Sequence, residues 1–199
     1  MKRKYNQIQI SCGWKNVYST LQESLSQEET EEIFELADTL RNRYKSLFRD
    51  VHGIEQMHVS SAYTAAALYI PLKMKLGETE ALELMNEGAK QESLKKRAML
   101  EKMPGRLFLN LCKNMTHVFF GNKAGFHTVI ITDNRKELQF DILSCPYCST
   151  LKTLNCPELC PVICKQDEYS YKGMKNCIFE RTKTLGNHND KCDFLYRLP

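Results

Sequence analysis

The chain is organised around residues 145–168, CPYCSTLKTLNCPELCPVICKQDE, and a second stretch at 186–194, GNHNDKCDF. With Cys177 between them, these stretches hold seven of the nine cysteines in the 199-residue chain. The first stretch predicts one or two helices from about 146 to 172, since Pro161 suits the first turn of a helix. The patterns on either side of these helices decide the fold.

Strand patterns flank the predicted helices on both sides. Residues 128–132, TVIIT, and 138–143, LQFDIL, are separated by a polar turn, and the second run alternates apolar and polar residues. Residues 177–182 and 192–196 predict two more strands around a polar turn that contains glycine. The sequence therefore predicts a small four-stranded antiparallel sheet with an inserted cysteine-bearing helix, and Cys145 at the end of the second strand.

The N-terminal part has helical periodicity. Ser26 and Glu29 form a capping-box signature, and an apolar stripe at steps of three and four follows towards Gly53. Residues 60–76 are apolar almost all round, which predicts a central buried helix, and a further helical pattern follows Thr79. Residues 106–120 fit either a buried helix or a strand, and we favour a helix.

These elements predict an α+β protein in which a helical N-terminal layer packs on the small sheet. We expect a single domain over residues 1–199, with a helical layer at 26–116 and a cysteine-rich α+β layer at 117–199. A composition of 42% apolar residues is enough for a core, because a chain of this length buries roughly 70% of its unfolded surface.

The charges argue against a nucleic-acid partner, because 28 basic and 24 acidic residues are interspersed without a basic stripe. No membrane partner is expected either, because no long apolar run occurs. We expect a soluble, cytoplasmic protein that binds a small molecule; the sequence does not indicate its oligomeric state. An odd number of cysteines without a signal peptide predicts reduced thiols rather than a disulfide framework.

Two cysteines are the best candidates for chemistry. A helix that begins at Pro161 places Cys160 at its N-cap, where the helix dipole and free amides lower the pKa of a thiol. Cys164 is followed at one-turn spacings by Asp167 and Glu168, so a thiol and at least one carboxylate share a helix face. Taken singly, a cysteine more often packs as a small hydrophobe, and the clustering is what favours function.

A metal site is the alternative use of these thiols. The spacing of Cys145 and Cys148 is that of a zinc knuckle or a redox pair, and Cys160 and Cys164 would complete four sulfurs for zinc or an iron–sulfur cluster. His188 is the only histidine inside the cluster, and it would serve as a base, a ligand or a plain loop residue. The cofactor is therefore either absent or a metal bound by cysteines.

The chain resembles the L-2-amino-thiazoline-4-carboxylic acid hydrolase family. The resemblance is strongest from Cys145 to Phe194 and extends more weakly back to about residue 27. The motifs that carry it are a cysteine at a strand end, Glu158-Leu159-Cys160-Pro161, Cys164 followed by Asp167-Glu168, and a Thr-Leu-Gly turn before Cys192-Asp193-Phe194. The extra cysteines Cys148 and Cys156 and the asparagine-rich turn depart from the family pattern.

The resemblance implies hydrolysis of a cyclic amidine, in which the ring C–S bond opens to give an N-carbamoyl-cysteine. Either Cys160 or Cys164 attacks as a thiolate while Asp167 or His188 moves protons, or a cysteine-held metal activates water. Cys192 is expected to lie in the same pocket. Lys165 and Arg181 are candidates to hold a substrate carboxylate.

A function without turnover is the competing interpretation. Helical layers beside a cysteine-bearing small sheet also occur in ligand-sensing modules of the vinyl-4-reductase type. The chain would then bind a small molecule, zinc or an iron–sulfur cluster and signal its presence.

Overall fold

The computed structural model describes residues 15–199, which form seven α-helices and one four-stranded antiparallel sheet. The α+β prediction is confirmed. No helix within these residues is long and apolar enough to cross a membrane. The elements, in chain order, are α1 (Lys15–Ser24), α2 (Gln27–Leu47), α3 (Gly53–Leu76), α4 (Glu78–Leu100), α5 (Gly105–Phe119), β1 (His127–Asp133), β2 (Glu137–Ser144), α6 (Pro146–Thr153), α7 (Cys160–Tyr171), β3 (Ile178–Glu180) and β4 (Cys192–Arg197).

The helical layer is built around α3. Its residues from Ala62 to Tyr69 are buried on every side, and the helix continues through Pro71. The small side chains allow α2, α4 and α6 to pack closely against it. The predicted capping box is present at the start of α2, where the Ser26 hydroxyl accepts from the Glu29 amide and the Glu29 carboxylate accepts from the Ser26 amide. This helix ends at Leu47, six residues before Gly53, because a short turn separates it from α3.

The sheet has the strand order β1-β2-β4-β3, with all neighbours antiparallel. Alternate residues of β2 are buried, as the sequence pattern predicted. Phe140 of β2 faces Phe194 of β4, and their rings stack with centroids 4.9 Å apart. The ambiguous stretch at 106–120 is helical, and α5 covers the same face of the sheet through Phe108.

The inserted helices α6 and α7 complete the helical layer, although they follow β2 in sequence. Their buried residues, including Leu151, Cys160 and Val162, belong to the same apolar core as α3. The sheet and α5 form a second core. The insertion therefore closes the helical layer over the inner face of the sheet, and a cavity lies between the two cores.

Candidate active site

The cavity between the two layers has a volume of about 810 Å³. Its walls come from α3, α4, α5 and α7, from the inner face of the sheet and from the segment after β3. Most of the lining surface is apolar, and the reactive and charged groups that border it include Cys145, Cys164, Asp167, Arg181, Cys192 and Lys96. Such a cavity with few polar groups is the usual form of a small-molecule site.

Helix α7 supplies the thiol and carboxylate that the sequence placed on one helix face. Cys164 and Asp167 are three residues apart, and both line the cavity. The Asp167 side chain is 38% accessible because it borders the cavity, while protein surrounds it on the other sides. The structure therefore brings this predicted pair together at a place that a small molecule can reach.

Arg181, in the segment that follows β3, contacts both of these residues. Its side chain is only 1% exposed, and its guanidinium donates to an Asp167 carboxylate oxygen at 2.8 Å and to the Cys164 backbone carbonyl at 2.7 Å. It also donates to Glu168 at 3.2 Å and lies over the Phe194 ring, 5.2 Å from its centroid. The predicted substrate-binding arginine is thus a fixed cation in the site.

The surroundings of the Cys164 sulfur act on its pKa in opposite directions. Burial raises the pKa of this thiol above its ordinary value, and the Asp167 carboxylate adds to the rise; the Arg181 guanidinium, the Gly186 amide and the Thr184 hydroxyl act against it. A β-carbon on Gly186 would lie 2.8 Å from the Cys164 sulfur, so glycine lets this turn approach the thiol. Cys164 is therefore a buried thiol whose thiolate form has a cation and two donors beside it.

Cys145 and Cys192 also line the cavity, but their surroundings stabilise a thiolate less than those of Cys164 do. Burial raises the pKa of Cys145 to about 12 and that of Cys192 to about 11. The Cys192 sulfur accepts from the Leu185 amide at 3.2 Å. Because burial dominates at both positions, these thiols stay protonated at neutral pH.

Asp167 is a candidate proton carrier. Burial raises the pKa of this carboxyl group, and the Arg181 and Lys96 cations oppose the shift. A carboxyl group whose pKa is raised towards neutrality transfers protons more effectively at physiological pH than an ordinary aspartate.

Cys160 has a different environment from the one predicted. It forms a disulfide with Cys148, with the two Cα atoms 5.7 Å apart, and it is 3% exposed within the helical core. Since α6 and α7 pack in one layer, they bring these two residues together. The prediction that the clustered cysteines are all reduced is wrong for this pair, and Cys160 is not a free thiolate in this state.

The predicted four-sulfur metal set is only partly assembled. The sulfurs of Cys148, Cys160 and Cys164 lie within 4.8 Å of one another, and Cys145 is not in that group. The disulfide uses two of the three sulfurs. A metal at this position would therefore need the reduced pair and a further ligand.

Four of the predicted site residues do not line the cavity: the disulfide cysteines Cys148 and Cys160, and also His188 and Lys165. His188 is exposed in the turn before β4, and Lys165 is exposed on α7; neither lines the cavity. The structure thus brings Cys164, Asp167, Arg181 and Cys192 to one cavity without these four side chains.

Two polar pairs at the cavity were not predicted from the sequence. Lys96 of α4 donates to the Tyr171 hydroxyl at 2.9 Å, and both residues line the cavity. Tyr147 lies 3.1 Å from Nδ1 of His58, whose Nε2 lies 2.8 Å from the Phe119 carbonyl. Burial lowers the pKa of His58, so the ring is neutral; Nε2 donates to the carbonyl, and Nδ1 accepts from Tyr147. Each pair joins distant parts of the chain, and no local pattern marks them.

A model of a known protein family matches most of the chain. A model of the family described as L-2-amino-thiazoline-4-carboxylic acid hydrolase matches residues 56–196. The match runs from α3 to β4 and includes the Cys164, Asp167 and Arg181 positions. No curated protein matches the chain. Because the family match covers well over half of the chain, the protein belongs to the L-2-amino-thiazoline-4-carboxylic acid hydrolase family.

Proposed function

We propose that the protein is a hydrolase that opens the ring of a cyclic amidine related to 2-amino-thiazoline-4-carboxylate. The observation that supports this best is the arrangement of Cys164, Asp167 and Arg181 on one wall of the cavity. It supplies a nucleophile, a proton carrier and a fixed cation within one site. The partner is a small molecule; we propose no nucleic-acid or membrane partner.

In the proposed reaction, Asp167 takes the proton of Cys164 and the thiolate adds to the carbon between the ring nitrogen and sulfur. The ring C–S bond breaks, the departing sulfur takes the proton from Asp167, and an S-linked isothiourea remains on Cys164. Water then adds to that carbon, giving one proton to Cys164 through Asp167 and the other to the imine nitrogen. Cys164 departs, and an N-carbamoyl-cysteine is released.

Arg181 has two roles in this proposal. It stabilises the Cys164 thiolate, and it holds Asp167 one turn away on the same helix. The Gly186 amide and the Thr184 hydroxyl favour the same thiolate form. Lys96 borders the cavity near Asp167 and is the more accessible cation for a substrate carboxylate.

The test is to incubate the purified protein with 2-amino-thiazoline-4-carboxylate and measure released thiol with a colorimetric thiol reagent. We expect thiol release together with a product heavier than the substrate by one water. A Cys164→Ser variant run in parallel controls for spontaneous hydrolysis. Absence of turnover with a series of 2-amino-thiazolines, from correctly folded protein, would refute the proposal.

The close approach of the Cys148, Cys160 and Cys164 sulfurs favours a second candidate, a module that binds zinc, an iron–sulfur cluster or a small molecule without turnover. Metal analysis and a free-thiol count on anaerobically purified protein distinguish the two. A stoichiometric metal with no hydrolysis supports the binding module, and metal-free protein with turnover supports the hydrolase.

A further inference from the structure

Cys164, Asp167 and Arg181 lie together in one part of the cavity, which we call the reactive end. A large part of the remaining wall is apolar and comes from α5, the turn after it and the sheet; we call it the apolar wall, and it consists of Leu111, Met115, Phe120, Phe126, Phe140 and Ile142. Leu111 and Met115 are 37% and 38% exposed even though they line this cavity. These two side chains of the cavity lining therefore have apolar surface that no other part of the described protein covers.

The apolar wall is continuous with the reactive end. Arg181 lies over the Phe194 ring, and that ring stacks on Phe140 of the wall at 4.9 Å. Tyr171, which pairs with Lys96, lies 6.0 Å, centroid to centroid, from the ring of Phe108 on α5. A molecule whose polar group lies at Cys164 would therefore contact the apolar wall with the part of the molecule next to that group.

The cavity is much larger than a single small ring requires. Its volume of about 810 Å³ is in the range of roughly 300–1,000 Å³ that holds drug-sized ligands. A bare amino-thiazoline carboxylate would leave most of the apolar wall in contact with water. Uncovered apolar surface of this kind gains free energy when a ligand covers it.

We propose that the substrate is amphiphilic, with a cyclic-amidine head at Cys164 and an aryl or branched alkyl substituent on the apolar wall. This inference deepens the proposed function, since the head group rests on it. The binding of the apolar substituent rests only on the cavity and its lining. The substituent determines specificity, and the head undergoes the reaction.

The experiment compares the binding of two aromatic analogues that the proposed reaction does not consume, 2-aminothiazole and 2-amino-4-phenylthiazole, by isothermal titration calorimetry. We expect the phenyl compound to bind at least about tenfold more tightly, because burying a phenyl group is worth more than the 1.4 kcal/mol that a factor of ten requires. Met115→Trp fills the apolar wall and should remove the difference while 2-aminothiazole still binds.

Leu107→Trp is the matched control, because Leu107 lies on the same helix, is 54% exposed and does not line the cavity. It should keep the full difference in affinity. Equal affinities in the wild-type protein, or a difference that survives Met115→Trp, would overturn the inference. A preserved difference without hydrolysis of any cyclic amidine would refute the proposed function alone, and hydrolysis without the difference would refute this inference alone.

Discussion

Helix α7 holds two cysteines one turn apart that have opposite environments. Cys160 is buried in the helical core and bonded to Cys148, whereas Cys164 borders the cavity beside Arg181. Their spacing of four residues puts them on one side of the helix, and their sulfurs lie within 4.8 Å. The positions of the two cysteines along α7 therefore do not explain why their environments differ. The difference comes from residues in other segments. Arg181, which follows β3, places a positive charge beside Cys164, whereas α6 supplies Cys148, which forms the disulfide with Cys160.

The strongest test of this comparison is Cys164→Ser. If Cys164 is the nucleophile, we expect kcat to fall on the order of ten-thousandfold, because serine has no thiolate at neutral pH. Steady-state thiol release measures the loss, and circular dichroism checks that the helices remain folded.

Cys112→Ser is the matched control, because Cys112 lines the same cavity and burial raises the pKa of its thiol to about 12. It should keep most of the activity. Full turnover by Cys164→Ser would show that Cys164 is not the nucleophile, and the two cysteines of α7 would then not differ in function.

The second test is Asp167→Asn, which removes the proton carrier and keeps the side-chain shape. We expect kcat to fall about a hundredfold to ten-thousandfold, the usual contribution of general acid–base catalysis. Because burial raises the pKa of Asp167, the acid limb of the wild-type pH profile should lie above the ordinary aspartate range, and it should disappear in the variant. An unchanged acid limb would assign that titration to another group.

The raised pKa of Asp167 also predicts that the free energy of unfolding depends on pH. A pKa that is raised in the folded state means that the folded protein binds the proton more tightly than the unfolded chain. The stability that Asp167 contributes to the folded state is then fully present below the unfolded pKa of about 3.9. It is lost as the pH rises through the folded pKa. Urea unfolding should show the wild type losing stability relative to Asp167→Asn as the pH rises across that window, and a wild type that gains stability relative to the variant over the same range would contradict the raised pKa.

The parts of this site that the sequence predicted depend on local spacing. Cys164 and Asp167 share a face because helical periodicity fixes residues three apart, and the β1–β2 hairpin follows from alternation and its turn. Arg181 was a candidate from the motif region, although its burial and its contacts with α7 were not predicted.

The features that the sequence did not predict depend on how distant helices pack. The Cys148–Cys160 disulfide requires α6 and α7 to lie side by side in the helical layer, and the Lys96–Tyr171 pair requires α4 to meet α7. His188 was favoured for its position in the motif, yet the turn that contains it leaves it exposed. Spacing rules describe one element at a time, so they cannot supply these long-range contacts.

The third test removes the disulfide with the double substitution Cys148→Ser and Cys160→Ser. Closing a loop of this size restricts the unfolded chain, so its loss should reduce the free energy of unfolding by about 3 kcal/mol. Turnover should change little, because Cys164 keeps Arg181 and Asp167. Urea unfolding and thiol release measure the two effects.

Both cysteines must be replaced, because a lone Cys160 thiol beside Cys164 could form a new disulfide with it. The single variant Cys148→Ser is therefore the informative companion, and it should lose activity under oxidising conditions and recover it with reductant. A double variant as inactive as Cys164→Ser would place the disulfide cysteines in the chemistry.

The smallest expected effect is that of Glu158→Gln, on the disulfide side of α7. Glu158 precedes Cys160 and accepts from the Tyr69 hydroxyl at 2.9 Å and from Lys73 at 2.8 Å, tying the start of α7 to α3. Burial opposes ionisation, but Lys73 and Tyr69 lower the pKa of Glu158 below its ordinary value. At neutral pH we expect the variant to lose about 1 kcal/mol of stability, since the ion pair is partly exposed.

A lowered pKa gives stability that is present above the unfolded value of 4.5 and is lost as the pH falls through the folded pKa. The gap between wild type and Glu158→Gln should therefore close below about pH 4 in urea unfolding. Glu78→Gln is the matched control, because Glu78 pairs with the same Lys73 but is 54% exposed and lies at the start of α4; its effect should be smaller. Turnover should be unchanged in both variants, because neither residue lines the cavity. Loss of turnover in the Glu158 variant alone would mean that the start of α7 positions Cys164, and the two environments of this helix would then be coupled.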